Sequence, residues 1–170
     1  MEIIKEFLPE KEFKELYDLI THHDFAWYVT EKVTCDIKSP VRGYERTESK
    51  KQLCHTFIND YSRSIYLDRL GTLFERMKVK TVYRVKANLT FNTGKRNIGG
   101  WHYDREGAPK GTKSSVLYLN SNNGFTLLED GTKIYSEANT LVSFDNDILH
   151  TGVSQTDTED RLLLNINYKD

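Results

Sequence analysis

Two histidines and an aspartate stand at His102, Asp104 and His150, and an arginine follows eleven positions later at Arg161. Two neutral imidazoles and one carboxylate can occupy one face of an octahedral ferrous ion, leaving the opposite three positions open for substrate and oxygen. A guanidinium fork matches a carboxylate with two parallel hydrogen bonds, so an arginine on a strand just downstream suits a dicarboxylic co-substrate. The four residues together point to non-haem iron chemistry with 2-oxoglutarate.

His102 and Asp104 are two positions apart, so in an extended segment both side chains leave the same side of the backbone, while Trp101 and Tyr103 turn towards packing. His150 comes 48 positions later, just past the run Leu141-Val142-Ser143-Phe144, at a strand end or turn that folding must bring back. The three-position pattern alone is weak and more readily describes a polar turn after Gly99-Gly100. The distal histidine and the arginine give it weight. Asp145 or Asn146 are candidates to orient His150. The remaining histidines read as structural: His22 and His23 follow a first helix, where imidazolium is mildly favourable to the dipole. His55, inside the apolar run Leu53-Cys54-His55-Thr56-Phe57, reads as a hydrogen-bonded core residue.

In the segment beginning at Arg161, period-two alternation places Arg161, Leu163, Asn165 and Asn167 on one face and Leu162, Leu164, Ile166 and Tyr168 on the other. A buried arginine is costly unless paired. The competing possibility is a surface ion pair with Asp157, Glu159 or Asp160. Tyr118, in Val116-Leu117-Tyr118-Leu119-Asn120, is placed to offer its hydroxyl to the same carboxylate or to serve as a core aromatic. Asn88, Asn120 and Asn165 are amide candidates for the polar lining.

The elements that must position these residues divide at residue 79. Before it, residues 9–21 repeat Phe13, Leu16, Tyr17 and Ile20 at helical spacing behind Pro9, and residues 62–78 carry Ile65, Leu67, Leu70, Leu73, Phe74 and Met77 as a second apolar face. Strand-like pieces at 26–33 and 52–58 lie between them, separated by a polar loop with Lys38, Pro40, Arg42, Gly43 and Arg46. After residue 79 the period becomes two, through Val79, Thr81, Tyr83, Val85, Ala87, Leu89 and Phe91. Further strands are expected at 115–120, 125–129, 132–135, 141–144 and 161–168, with turn residues between. The expectation is one mainly β domain over residues 1–170: helices and supporting strands in 1–78, and a sandwich or barrel carrying the site in 79–170.

The chain has 170 residues, enough to hide roughly 70% of its unfolded surface. Its 24 basic and 25 acidic residues leave a net charge of −1, with no general attraction to polyanions. Cys35 and Cys54 lack metal-site spacing, and free thiols fit a reducing cytoplasm. The opening Met1-Glu2-Ile3-Ile4-Lys5 lacks the apolar run of a signal peptide, and no stretch is expected to span a membrane.

The strings Trp101-His102-Tyr103-Asp104, Val116 to Asn120, Gly124-Phe125-Thr126-Leu127, Phe144 to Gly152 and Arg161 to Tyr168 resemble the Fe(II)/2-oxoglutarate-dependent dioxygenases. The similarity is greatest to the prolyl 4-hydroxylase-like branch, including small bacteriophage oxygenases, and covers about residues 79–168. It implies a double-stranded β-helix, a cupin-like jelly roll. It also implies His102, Asp104 and His150 as iron ligands, Arg161 on the distal carboxylate of 2-oxoglutarate, and Tyr118 assisting it. Asn165 stands where relatives carry a small hydroxyl residue. The implied cofactor and co-substrates are Fe(II), 2-oxoglutarate and O2, with ascorbate as a further candidate. The implied reaction hydroxylates a C–H bond with release of succinate and CO2.

For the substrate, the resemblance favours a prolyl residue of a protein or peptide. Loops 36–51 and 93–113 are long enough to frame the mouth. Lys95, Arg96, Arg105, Lys110 and Lys113, opposed by Glu106, keep oxidation of a nucleic-acid base as the alternative, with Arg84 and Lys86 adding charge. A non-catalytic cupin-like metal-binding module is the third reading, and it has no need of a clamp at Arg161.

Overall fold

Period-two alternation becomes two facing antiparallel sheets. A computed structural model describes residues 1–30, 37–47, 52–105 and 107–170. Among them the strands are β1 (Glu2–Ile4), β2 (Tyr28–Thr30), β3 (Gln52–Ile58), β4 (Thr81–Phe91), β5 (Lys113–Tyr118), β6 (Asn122–Leu128), β7 (Lys133–Ser136), β8 (Thr140–Asp145), β9 (His150–Val153) and β10 (Asp160–Lys169). The helices are α1 (Glu10–Thr21) and α2 (Gly71–Met77). The large sheet has the order β1-β8-β5-β10-β4-β3-β2, and the small sheet runs β7-β6-β9. This is the expected jelly-roll architecture with helices in support.

The alternation decides what each face of the large sheet meets. On β10, Leu162, Leu164, Ile166 and Tyr168 join Val85 and Ala87 of β4 and Leu117 of β5. They pack against Leu16 and Ile20 of α1 and Leu73 and Met77 of α2. Each such side chain, fully buried, stabilises the fold by roughly 1.5–3 kcal/mol. The opposite face turns Val116, Tyr118, Val142, Phe144 and Leu163 towards Leu128 and Ile134 of the small sheet. A third cluster, Trp101, Phe125, Leu127, Leu149 and Val153, is packed by Ile37, Val41, Tyr44 and Ile98.

The helical region departs from the sequence expectation. Residues 62–66 do not join the second helix: the Asn59 carboxamide oxygen accepts from the backbone of Tyr61 and Ser62, and Ser64 N donates to Phe57 O. This side-chain turn competes with helix initiation. A 3₁₀ turn at Leu67–Leu70 leads into α2, and Ile65 is exposed. Lys78, at φ 54°, ends that helix in a left-handed conformation. Tyr17 is likewise on the exposed side of α1. The strand expected at 26–33 is present as β2, and residues 31–33 lie outside the described residues. No helix among the described residues is long and apolar enough to cross a membrane.

Candidate metal and dicarboxylate site

Backbone pairing closes the 48-residue gap. His102 N donates to His150 O at 3.0 Å and His150 N to His102 O at 3.1 Å, so the two residues form a directly opposed antiparallel pair. Their rings lie 4.6 Å apart, centre to centre. In each, Nδ1 reaches a carbonyl two residues back: Gly100 O at 2.8 Å for His102 and Ile148 O at 2.9 Å for His150. A ring that donates through Nδ1 keeps its lone pair on Nε2, the tautomer a metal needs. The orienting group for His150 is therefore a backbone carbonyl. Asp145 instead pairs with Lys113, and Asn146 bonds Ser114 and Arg105 O.

Asp104 completes the group, with Oδ1 3.9 Å from His102 Nε2 and Oδ2 3.6 Å from His150 Nε2. Ligands about 2.1 Å from one ion and at right angles stand about 3 Å apart, so a small contraction would bring all three onto one cation. Burial opposes ionisation of Asp104, but the neighbouring His150, Arg84 and His102 and the Asn165 amide outweigh it and hold its pKa at about 2. Burial, followed by the proximity of His150, lowers the pKa of His102 and favours the neutral ring. An ionised carboxylate beside neutral imidazole is the donor set of a divalent first-row metal, and the residues fit Fe(II).

Asn165 lines the cavity and also holds Asp104. Its Nδ2 donates to both carboxylate oxygens of Asp104 at 2.9 Å, and its Oδ1 accepts from Arg84 Nη2 at 2.8 Å. Arg84 Nη2 also donates to Asp104 Oδ1 at 3.2 Å. The amide and the guanidinium thus hold the carboxylate from behind. Tyr103, expected to pack inward, is exposed, whereas Trp101 is fully buried with Nε1 donating to Tyr44 O.

Arg161 is buried, with none of the acidic neighbours proposed for a surface pair. Nε donates to Ser136 Oγ at 2.7 Å and Nη2 to Thr126 Oγ1 at 3.4 Å, and the guanidinium carbon sits 5.5 Å from the centre of the Tyr118 ring. Among the described residues no carboxylate pairs with it. A buried cation with hydroxyl partners alone still needs an anion. The Tyr118 hydroxyl donates to Ile134 O at 3.2 Å and shares a hydrogen bond with the Thr126 hydroxyl at 2.8 Å, so Tyr118 supports the floor around Arg161. Gly124 makes room for the arginine: a Cβ there would stand 2.7 Å from Arg161 Cδ.

The triad and Arg161 line one cavity of about 720 Å³, together with Val116, Thr126, Leu163 and Asn165. Asn88 lines it too, and its Oδ1 accepts from Gln52 Nε2 at 3.4 Å. Asn120 does not: it bonds Asp160 and the backbone N–H of Leu162. The five basic loop residues also lie outside the lining. Arg96 bonds Asn123 O, Arg105 grips Asp60 and Lys113 pairs with Asp145. Glu106 is outside the described residues, as is Cys35; Cys54 is a free thiol. His55 is buried between Ala26 O and Ser64 Oγ, as a core histidine should be, and His22 and His23 are exposed after α1.

Thr126, Ser136 and Gly124 escaped the sequence reading. Thr126 carried a signal, because alternation between Phe125 and Leu127 sets one polar side chain on the inner face of β6. Ser136 carries none in a single sequence, and Gly124 stands only within the string Gly124-Phe125-Thr126-Leu127 that carries the resemblance.

No family model matches the chain, and no curated protein matches it. Among solved structures, an oxidoreductase of the 2OG-Fe(II) oxygenase family from Burkholderia pseudomallei superposes with a TM-score of 0.68 at 11% identity, over 99% of this chain and 84% of that one. A Pseudomonas putida prolyl-4-hydroxylase gives 0.61 at 16% identity, over 99% and 92%. A Trichoplax adhaerens prolyl hydroxylase in complex with a hypoxia inducible factor peptide fragment gives 0.65 at 13%, over 99% and 83%. The fold of this chain is the jelly roll on which these 2OG-Fe(II) oxygenases are built.

Proposed function

We propose that this chain is an Fe(II)- and 2-oxoglutarate-dependent dioxygenase that hydroxylates a C–H bond, with a prolyl residue of a protein or peptide as its substrate. The observation that carries the oxygenase reading is the buried, acid-free Arg161 in the same cavity as the His102, Asp104 and His150 cluster. A cupin-like binding module would have no use for that cation. The prolyl substrate is favoured by the prolyl hydroxylases among the structural neighbours.

His102, Asp104 and His150 would hold the iron through Nε2, one carboxylate and Nε2. Bound iron supplies the oxygen chemistry: 2-oxoglutarate loses CO2 to give succinate, one atom of O2 enters succinate and the other enters the C–H bond. Arg161 pairs with the distal carboxylate and so fixes the direction from which the co-substrate approaches. Ser136 and Thr126 hold the guanidinium in place, while Asn165 and Arg84 keep Asp104 aimed. Val116 and Leu163 give the cavity an apolar wall that limits water.

The test is incubation with Fe(II), ascorbate and 2-oxoglutarate, alone and with proline-containing peptides or methylated oligonucleotides. Succinate above a His102→Ala control and a peptide heavier by one oxygen support the reading. An oxygen gained only by the oligonucleotide refutes the prolyl substrate, and no succinate with any substrate refutes the oxygenase.

A further inference from the structure

The inner face of the large sheet beside the metal cluster is cationic in a way the proposed chemistry does not use up. On β4, alternation sends Arg84, Lys86, Asn88 and Thr90 into the cavity. Register places Lys86 directly opposite Asn165 on β10 and Thr56 on β3, one strand away from the line that joins the metal cluster to Arg161. Asp104 is the only carboxylate among the described residues of the lining.

Charge bookkeeping then decides. A divalent iron, the dianionic co-substrate, Asp104 and Arg161 balance one another. Beyond that balance the partly buried wall carries Arg84, which shares Asp104 with the metal cluster, and Lys86. Lys86 forms no ion pair with any described residue; burial is the largest influence on its ammonium and lowers its pKa, and Cys54 is its hydrogen-bonding neighbour. Arg84 uses Nη2 on Asp104 and Asn165, but its Nε is buried without a partner. A partly desolvated cation without an ion-pair partner, as at Lys86, is costly, and the cost is recovered when an anion arrives.

Resting on the oxygenase reading above, we propose that Lys86, with Arg84, is a substrate-selecting subsite: it binds an oxyanion, a carboxylate or a phosphate, on the peptide beside the residue to be oxidised. The cavity is about 720 Å³, which accommodates 2-oxoglutarate and the ends of two adjoining side chains. The proline enters towards the metal cluster, and the acidic neighbour lies over β4. Oxidation is thereby directed to prolines in acidic surroundings and away from basic ones.

The test measures binding without turnover. Short fluorescein-labelled peptides with one central proline carry Glu, Gln, Lys or phosphoserine at a neighbouring position. Each is titrated under argon with the intact protein loaded with Fe(II) and 2-oxoglutarate. Glu or phosphoserine should bind roughly ten- to hundredfold tighter than Gln, the range of a charge-assisted hydrogen bond. Lys86→Gln should erase that difference, and Lys86→Glu should reverse it in favour of Lys, with melting temperatures showing that both variants fold. The stronger of the two anions identifies the group. Equal binding of Glu and Gln peptides, or a preference that survives Lys86→Gln, overturns the proposal. So does tight binding of an oligonucleotide with none of any peptide. Failure of the wild-type protein to bind 2-oxoglutarate counts instead against the oxygenase reading.

Discussion

Gly124→Ala adds one methyl group where the structure has no room for it. Gly124 is not at positive φ, so alanine meets no backbone penalty and the effect isolates the side chain. The new Cβ would lie 2.7 Å from Arg161 Cδ, 3.1 Å from Arg161 Nε and 2.8 Å from Asn122 Oδ1. Ordinary contact between carbons is about 3.5–4.0 Å, so the arginine must retreat by roughly 1 Å. Its 2.7 Å bond to Ser136 Oγ does not survive such a movement, and the fork loses its alignment with a bound carboxylate. Loss of one charge-assisted hydrogen bond, about 1.5–3 kcal/mol, predicts a ten- to hundredfold weaker 2-oxoglutarate affinity, together with about 1–3 kcal/mol of overpacking cost in stability. The assay is calorimetric titration of 2-oxoglutarate into the metal-loaded variant, with a melting curve beside it. Metal affinity should be unchanged, because the ligands lie elsewhere in the cavity. An affinity within twofold of wild type with an unshifted melting curve would refute the idea that this glycine makes space for the clamp.

Asn165→Ala removes the amide that grips both oxygens of Asp104, and metal affinity should fall roughly ten- to hundredfold while the protein stays folded; competitive chelation measures it. Acid titration of the metal-free protein gives an independent check. The pKa of Asp104 is about 2 in the folded state against 3.8 for the unperturbed group, so the unfolded chain binds the proton first. Its stabilisation is present above about pH 4 and is lost as pH falls towards 2, amounting to about 1–2 kcal/mol. Urea unfolding at pH 4.5 and 2.5 should show that extra loss in the wild type and not in Asp104→Asn.

How much of this was legible depended on whether a signal was local. The alternation of β10 assigned Arg161 and Asn165 to the face opposite Leu162, Leu164 and Ile166, as the structure has it, because a strand's period is a local property. The site cluster was legible from residue type and spacing, although only the backbone pairing of His102 with His150 explains how they meet. Other errors came from tertiary competition. Asn59 captured the backbone that a helix at residues 62–66 would have used, and Ile65 was left exposed. Alternation puts Asn165 in the polar lining, but its grip on Asp104, 61 residues away, has no local signal. Composition alone does not reveal that Arg105 and Lys113 pair with Asp60 and Asp145, because those partners are distant in sequence. β1, three residues long and exposed, has no pattern to announce it; its place comes from pairing with β8.

The most direct measurement is an anaerobic titration of the purified protein with Fe(II), followed by 2-oxoglutarate, monitored by metal content and by visible charge-transfer absorption. The wild type should take up about one ion per chain and develop the absorption when the co-substrate chelates it. His150→Ala and Asp104→Ala should lose the ion, and Arg161→Gln should keep it but need far more 2-oxoglutarate. Unchanged iron affinity in His150→Ala, or unchanged 2-oxoglutarate affinity in Arg161→Gln, would contradict the account.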